Sequence, residues 1–198
     1  MNSLIYFNNC ASTQDELIDF LNQHYLSEDF LAVYTFNQTK GRGQYGNSWE
    51  NLPEENLAYS FALKTKNINI SDTCFNFYTA ILVRDFIANL TKTEVKIKWP
   101  NDLYWRDRKT GGILIENIVG SEGWEFAVIG IGLNINQKEF RVPTATSLAL
   151  LTGSEFELEE IFKMLVTHLE QGYIQLKKGK NSLIKSDYLH HLYLLEEF

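Results

Sequence analysis

Three strand-like segments follow one another in the middle of the chain, and they constrain its fold more than any other feature. They span residues 103–105, 113–119 and 124–135, and polar turns at 106–112 and 121–123 join them. A polar turn of this kind returns the chain beside the strand it has just left, so the two strands run in opposite directions. Successive hairpins therefore predict an antiparallel or mixed sheet.

The remaining elements place this sheet in the α+β class. Further strands are predicted at residues 4–7, 31–37, 57–64 and 95–99. Helices are predicted at residues 13–25, 71–90, 146–151 and 154–176, and an amphipathic segment closes the chain. Capping residues are expected at three of the helix starts: Thr13 with Glu16, Ser71 with Asp72, and Ser154 with Glu157. Because strands gather in the first two thirds and helices flank and follow them, we predict a mixed, largely antiparallel sheet flanked by helices rather than a βαβ repeat.

The composition favours one folded domain and argues against nucleic-acid or membrane binding. Of the 198 residues, 44% are hydrophobic and 14% are aromatic, which is enough to bury a core. The 18 basic residues against 25 acidic ones give a net charge of −7, so the surface should repel polyanions. No apolar run is long enough to span a bilayer, and the first residues do not have the pattern of a secretion signal. We therefore expect a cytoplasmic protein.

The cysteines and histidines do not indicate a disulfide, a metal site or an acid–base site. Cys10 and Cys74 are far apart and lack CxxC spacing, so they predict neither a disulfide nor a zinc site. The histidines fall on predicted helices without a nucleophile or an acidic partner at a spacing typical of catalysis: His24, His168, His190 and His191.

A glycine-rich loop, predicted from residue 38 to residue 56, is the first stretch that carries chemistry. It contains GRGQYGNSW at 41–49, in which glycines let backbone amides come close to a ligand and Arg42 supplies a permanent positive charge. Long loops inside compact domains are usually either functional or disordered. A site for anionic groups is one interpretation, and an ordinary surface turn with one arginine is the other.

The second stretch is KWPNDLYWRDRKTGGILIE, residues 98–116. Lys109 precedes two glycines at the start of an apolar strand, so its ammonium can lie over whatever approaches that backbone. Asn101 and Asp102 follow a rigid proline, and they can bind a hydroxyl or a hydrated magnesium ion. The alternative is a hairpin whose tip happens to be charged.

The third stretch is IGIGLNIN, residues 129–136. Its GxG lacks the third glycine of the dinucleotide fingerprint, and it continues as a strand instead of opening a helix. Gly130 and Gly132 leave one face of this strand without side chains. A flat ring can then lie on the sheet, or a helix can pack closely against it.

Taken together and in this order, five motifs resemble the catalytic domain of biotin protein ligases. They are STQ at 12–14, QTKGRGQYGNSW from residue 38, KWPNDLYWRDRKTGGILIE from residue 98, IGIGLNIN from residue 129 and ATSL from residue 145. Each motif alone is weak evidence, but their shared order over about three quarters of the chain is specific.

The resemblance implies a class II aminoacyl-tRNA synthetase/biotin ligase-like catalytic domain at residues 1–180 and a C-terminal helical extension at 181–198. The small C-terminal β domain usual in the family is expected to be absent or truncated, and no N-terminal DNA-binding module is expected. The implied activity is ATP-dependent: biotin becomes biotinyl-5′-AMP with release of pyrophosphate, and is then transferred to a lysine of a biotin carboxyl carrier domain. Biotin and that carrier are the implied partners, Mg²⁺ accompanies ATP, and a homodimer is expected.

The resemblance also implies which residues surround the substrates. The biotin-binding set is Ser12, Thr13, Gln14, Gln38, Gly41, Arg42 and Gly112. The set for ATP and the adenylate is Gly43, Trp49, Asn101, Asp102, Lys109 and Asn134. Arg42 and Lys109 are the expected catalytic cations, because a carboxylate that attacks a triphosphate brings two anions together. Asp102 is the expected magnesium ligand.

Two positions depart from the family pattern, and two other activities stay open. Many members carry an arginine where this sequence has Gln44, and Asn47 replaces another frequent arginine, so we expect weaker retention of the adenylate. Lipoate or octanoate ligases share the implied fold and reaction type. A noncatalytic biotin- or nucleotide-binding module is the remaining alternative.

Overall fold

Within the part of the chain that the structure describes, seven of nine strands form one sheet. The computed structural model describes residues 3–23, 30–66, 68–121, 123–179 and 182–194. The strands are β1 (Ser3–Tyr6), β2 (Phe30–Thr35), β3 (Gly41–Arg42), β4 (Ser48–Trp49), β5 (Asn56–Lys64), β6 (Lys96–Lys98), β7 (Asp102–Trp105), β8 (Arg108–Gly120) and β9 (Gly123–Asn134). The helices are α1 (Thr13–Gln23), α2 (Asp72–Thr91), α3 (Leu148–Thr152), α4 (Leu158–Lys177) and α5 (Ile184–His190).

The large sheet is mixed and largely antiparallel, which confirms the predicted α+β class. Its strand order is β1-β2-β5-β9-β8-β7-β6. β1 runs parallel to β2, whereas the other neighbouring strands pair antiparallel. The three segments predicted as successive hairpins are β7, β8 and β9. The predicted loop at 38–56 is more ordered than expected, because β3 and β4 pair antiparallel within it as a small separate ribbon.

The two faces of the sheet bury two different hydrophobic clusters. On the first face, Tyr59 and Phe61 of β5 join a large hydrophobic core to which α2 and α4 also contribute. On the second face, Leu17 of α1 belongs to a smaller cluster with Val33 and Val128. Because side chains alternate between faces along a strand, small residues of β5 and β9 next to this smaller cluster also belong to the second face.

The start of α1 differs from the prediction by one residue. Ser12 caps the helix, because its Oγ accepts a hydrogen bond from the Asp15 amide at 3.3 Å. Thr13 is already the first helical residue, and its hydroxyl bonds elsewhere, so the predicted capping box of Thr13 with Glu16 is wrong. The predicted end of this helix, with His24 and Tyr25, lies outside the described residues.

Of the other two predicted capping sites, one is confirmed and the other is wrong. Ser71 caps α2 as predicted, accepting a hydrogen bond from the Cys74 amide at 3.2 Å. The capping box expected at Ser154 is wrong, because α4 begins at Leu158 and Glu157 makes no side-chain capping bond. Among the helices in the described ranges, none combines the length and the apolar character needed to cross a membrane.

The described part of the C-terminal segment packs against the edge of the sheet. Tyr188 of α5 stacks on Phe77 of α2 with ring centroids 4.0 Å apart, and its hydroxyl donates to the Pro100 carbonyl at 2.6 Å. The backbone of Ile97 in β6 bonds to the His191 carbonyl and the Tyr193 amide, at 2.8 and 2.9 Å. The predicted boundary between residues 180 and 181 lies outside the described ranges.

Candidate active site

A cavity of about 60 Å³ opens on the second face of the sheet, beside the N-terminus of α1. The β3–β4 ribbon and strands β5, β7, β8 and β9 form its other walls. Most of the predicted site residues line it: Ser12, Thr13, Gln14, Gln38, Arg42, Gly43, Trp49, Asp102, Lys109 and Gly112. Residues of the loop at 41–49, of the stretch at 98–116 and of the STQ motif thus meet in one place.

Small residues on three neighbouring strands make the floor of this cavity. Gly132 of β9 pairs with Ala58 of β5 on one side and with Gly112 of β8 on the other. The next residue of β9 on the same face is Gly130, which also lines the cavity. A floor without large side chains lets a flat group lie against the backbone.

Trp49 lies on this floor. A Cβ atom at Gly132 would stand 2.5 Å from Cε2 of the Trp49 ring, and one at Gly112 would stand 3.2 Å from its Cζ3. The close approach of the indole therefore requires glycine at 132. The buried Nε1 of Trp49 finds no hydrogen-bond partner among the described residues, so it can donate to a ligand.

A group of buried hydroxyl and amide side chains forms the polar end of the cavity. Gln38 Oε1 accepts from the backbone amide of Thr13 at 2.8 Å and from its hydroxyl at 3.2 Å. The Thr13 and Ser60 hydroxyl oxygens lie 2.8 Å apart. Gln38 Nε2 points toward Gly41, where an added Cβ would stand 2.5 Å away. Glycine at 41 therefore leaves the space that the Gln38 amide occupies.

Arg42 is held between two carboxylates. Its Nη2 lies 2.8 Å from Glu116 Oε2 and 2.8 Å from Asp15 Oδ1. Desolvation opposes the guanidinium charge, but Glu116 and Asp15 outweigh it, so the pKa of Arg42 is raised above its ordinary value. Arg42 is therefore a permanent cation at the mouth of the cavity, and an anionic ligand that reaches it must compete with these carboxylates.

Lys109 makes the second cationic point of the cavity. Its Nζ lies 2.6 Å from Asp102 Oδ1 and 5.5 Å from the centre of the Trp49 ring. The ammonium therefore stands between a carboxylate and an aromatic face. Like Arg42, it can reach an anion bound above the glycine floor.

The segment at residues 144–146 holds the backbone of Lys109 in place. Its amide donates to the Thr144 carbonyl at 2.7 Å, and its carbonyl accepts from the Thr146 amide at 2.9 Å. Asn134 Nδ2 donates to the Thr146 carbonyl at 3.0 Å and to the Lys109 carbonyl at 3.5 Å. The ATSL motif, which begins at Ala145, is therefore the segment that holds this lysine in place.

Of the residues described, three predicted ones lie next to the cavity rather than on its wall. Gly41 lies next to the side-chain amide of Gln38. Asn101 is buried, and its side-chain amide donates to the Ile113 carbonyl. Asn134 supports Lys109. The structure thus uses the amides of Asn101 and Asn134 to hold neighbouring strands, and their contact with a nucleotide stays a prediction.

The tip of the ribbon carries the two departures noted in the sequence. Gln44 lines the cavity, so a neutral side chain stands there. The Gly43 amide donates to the Asn47 carbonyl at 2.7 Å, which closes the tip. Tyr45, between them, has φ 55° and is 89% exposed. The tip therefore presents the Gln44 side chain to the cavity and the Tyr45 side chain to solvent.

Sequence reasoning missed two carboxylates that shape this site. Glu116 bonds to Arg42 and also accepts from Gln14 Nε2 at 2.9 Å. Asp15 is the second partner of Arg42. One signal for Glu116 was present, because residues 112, 114 and 116 share a face and a charge on an otherwise apolar strand is unusual. The first-turn position of Asp15 gave no comparable signal.

Comparison with known proteins identifies the family of the chain. A model of the biotin/lipoate A/B protein ligase family matches residues 6–134. Over 165 residues the chain is 29% identical to the biotin--[acetyl-CoA-carboxylase] ligase of Mycobacterium tuberculosis, covering 81% of this chain and 60% of that protein. Over 176 residues it is 27% identical to the bifunctional ligase/repressor BirA of Bacillus subtilis, covering 86% and 53%. The chain thus spans only somewhat more than half the length of these relatives.

Solved structures agree with the family match. The biotin protein ligase from Aquifex aeolicus, in complex with biotin and ATP, has a TM-score of 0.81 at 25% identity, covering 98% of this chain and 80% of that chain. The Leishmania major ligase in complex with biotinyl-5-AMP has a TM-score of 0.75 at 18% identity, covering 96% and 81%, and shows a shared fold. From its motifs, its fold and the family match over most of its length, the chain belongs to the biotin/lipoate A/B protein ligase family.

Proposed function

We propose that this chain activates biotin with ATP as biotinyl-5′-AMP and transfers the biotinyl group to a lysine of a biotin carboxyl carrier domain. The observation that carries the proposal is that Arg42 and Lys109, from two separate stretches, line one cavity with a glycine floor. The proposed setting is the cytoplasm, and a homodimer is the proposed assembly.

In the first step a biotin carboxylate oxygen attacks the α-phosphorus of ATP, and the bond from that phosphorus to pyrophosphate breaks. Both reactants are anions, so their approach needs fixed positive charge. Arg42 and Lys109 supply it from β3 and β8, and ion pairs hold both side chains in position before reaction. Fixed cations of this kind are worth more than cations that must reorganise during the reaction.

In the second step the ε-amine of the acceptor lysine attacks the acyl carbon, an amide forms, and AMP leaves with the bonding electrons of the broken C–O bond. The amine loses a proton as the amide forms. The acyl-phosphate intermediate hydrolyses if water reaches it. The β3–β4 ribbon stands over the cavity, and we assign to it the protection of this intermediate until the acceptor arrives.

The residues present fit a magnesium ion that is held mainly by phosphate. Mg²⁺ in such sites usually takes one or two protein carboxylates, with substrate phosphates and water as the other ligands. Asp102 is a suitable carboxylate on the cavity wall. In the described ranges no three acidic, histidine or cysteine side chains cluster as a separate metal site. When bound, the ion supplies neutralisation of the phosphate charge.

The test is to incubate the protein with magnesium-ATP, one acid and a purified carrier domain. The acid is biotin, lipoate or octanoate, and pyrophosphate release and acceptor mass are measured. We expect pyrophosphate release and a mass increase with biotin only. Release with lipoate or octanoate alone would replace the proposal by the lipoate or octanoate ligase alternative, and binding of biotin without release by the noncatalytic one.

A further inference from the structure

Gln137 is a buried glutamine whose side-chain amide joins separate parts of the chain. It lies just after β9 and is only 1% exposed. Its Nε2 donates to Glu50 Oε1 at 2.9 Å and to the Glu139 carbonyl at 2.7 Å. Its Oε1 accepts from the Leu52 amide at 3.3 Å and from the side-chain amide of Asn56. All four hydrogen-bonding positions of this amide are thus used within the protein.

Backbone groups fix the orientation of the Gln137 side chain. The Ile135 amide donates to Asn56 Oδ1 at 3.0 Å, so the nitrogen of the Asn56 side chain is the atom that faces Gln137. The Leu52 amide can only donate, and the Glu139 carbonyl can only accept. Reversing the Gln137 amide would set donor against donor and acceptor against acceptor. A replacement without an amide therefore loses four matched hydrogen bonds at once.

Glu50 connects Gln137 to the ribbon that stands over the cavity. It directly follows Trp49, the last residue of β4, and β4 pairs with β3 in the ribbon. The Glu50 carboxylate also accepts from the backbone amide of Arg141, with distances of 3.1 and 3.3 Å to its two oxygens. One end of the ribbon is therefore bonded at two points to the segment at residues 137–141.

The segment that begins at Gln137 continues into the residues that hold Lys109. A hydrogen bond of 3.0 Å from the Ala145 amide to the Val142 carbonyl forms a turn along this path. Residues 144 and 146 then bond to the backbone amide and carbonyl of Lys109. Gln137 itself is not among the described residues that line the cavity. It therefore connects two walls of the cavity from outside.

We propose that Gln137 is a positioning residue that ties the ribbon to the segment behind Lys109, so that both take their places together. The inference rests on the proposed function, in which Arg42 of the ribbon meets the acid and Lys109 meets the phosphates of ATP. A ribbon that closes over the acid fixes Glu50, and Gln137 then fixes the segment that holds the lysine. ATP binds to a segment that is already ordered, so its binding costs less conformational entropy.

The consequence can be measured as a coupling between the two ligands. If the acid orders the segment behind Lys109, it lowers the dissociation constant of the nucleotide, and the nucleotide lowers that of the acid by the same factor. A substitution that merely loosens the fold weakens each ligand without changing this factor. A substitution that breaks the link lowers the factor itself.

The test measures the dissociation constant of magnesium-α,β-methylene-ATP by calorimetry, with and without saturating biotin. This analogue cannot release pyrophosphate, because a methylene group replaces the oxygen between its α- and β-phosphorus atoms. We expect biotin to tighten its binding by about tenfold in the wild type. Gln137→Met keeps the length of the side chain but not its four hydrogen bonds, and the factor should fall to about twofold or less.

Asn136→Leu is the matched control. Asn136 precedes Gln137 in the same segment, and its side-chain amide also makes buried hydrogen bonds. These bonds go to the carbonyl and the amide of Phe156, at 2.8 and 2.9 Å, on the side away from the ribbon. The control should keep the wild-type factor. An equal fall in both variants would mean that the segment only needs to be stable, and it would overturn the inference.

Glu50→Leu tests the same link from the side of the ribbon. It removes the carboxylate that accepts from Gln137 and from the Arg141 amide, so the factor should fall as it does in Gln137→Met. Because both substitutions break one contact, the double variant should fall no further than the single ones. Thermal melting checks that each variant is folded, and if Gln137→Met does not fold, Glu50→Leu decides the result.

The outcomes separate this inference from the proposed function. If the wild type releases pyrophosphate with biotin and ATP, but the folded Gln137→Met and Glu50→Leu variants keep its factor, the inference alone is overturned. A wild-type factor of one overturns it too, since no coupling is then transmitted. If the wild type binds neither biotin nor the analogue, the proposed function falls, and the inference with it. A lower factor in both variants, but not in Asn136→Leu, supports the inference.

Discussion

The ammonium of Lys109 lies 2.6 Å from the carboxylate of Asp102, across the turn between β7 and β8. The lysine side chain is 30% exposed, so this ion pair contributes little to folding stability. What the pair does is hold a cation over the glycine floor, where a phosphate is proposed to bind.

Replacing Lys109 by alanine should therefore abolish catalysis without unfolding the protein. We expect biotin-dependent pyrophosphate release to fall by at least about 100-fold, because a fixed positive charge is lost from the developing phosphate charge. The melting temperature should hardly change. Lys138→Ala is the matched control, since Lys138 also lies 2.6 Å from a carboxylate, that of Glu155, but on the open surface. Wild-type rates for Lys109→Ala would remove this lysine from the mechanism.

Adding a methyl group at Gly132 should displace the indole of Trp49. The new Cβ would lie 2.5 Å from the ring, which is closer than packed carbon atoms allow, so the ring must leave the floor. The emission of Trp49, taken as the difference from a Trp49→Phe background, should shift to longer wavelength in Gly132→Ala. Gly120→Ala is the control, because the three atoms nearest to its added Cβ all belong to the flexible end of the Glu125 side chain. An unshifted emission would show that the ring does not rest on Gly132.

A positive charge at position 44 should slow the release of the adenylate. Gln44 lines the cavity and is neutral, so an arginine there can add a charge-assisted hydrogen bond to the phosphate. We expect Gln44→Arg to lengthen the lifetime of bound biotinyl-5′-AMP by about tenfold in a filter-retention assay. Tyr45→Arg adds the same charge on a side chain that is 89% exposed. Equal lifetimes in both variants would mean that the effect is nonspecific.

The thiol of Cys10 should react only at high pH in the folded protein. Burial, with a smaller contribution from the charge of Glu16, raises its pKa from 9.0 to about 11. In a Cys74→Ser variant, alkylation by iodoacetamide should therefore keep rising to about pH 11, as followed by mass spectrometry. The folded state holds this proton more tightly, so the unfolded thiol ionises first and stability should fall as pH rises from 9 towards 11. A rate that levels off by pH 8 in the folded protein would contradict the shift.

The strands and the general location of the site could be predicted because local pattern determines them. Alternation marked β5 to β9, and glycines marked the places where a ring or an amide approaches the backbone. The partners of Arg42 could not be predicted in this way. Glu116 is 74 positions away and meets Arg42 only because β8 runs beneath the ribbon.

The predicted start of α1 was wrong for a different reason. Ser12 and Thr13 are both good capping residues, and the choice between them depends on where Gln38 and Ser60 stand in space. Tertiary contacts use the Thr13 hydroxyl, so the neighbouring serine caps the helix. Similarly, the amides of Asn101 and Asn134 have the chemistry of ligands, but the fold uses them to bond adjacent backbone.

The separation of the large core from the reactive groups, on opposite faces of one sheet, has a consequence for how such a protein can change. Substitutions at sites with no shared contacts add independently in free energy. Gln14 and Gly130 line the cavity, whereas Tyr59 and Phe61 belong to the large core and do not line it. Under the proposed function, we therefore expect the specificity for the acid to change by stepwise exchange at the open face while unfolding stays cooperative.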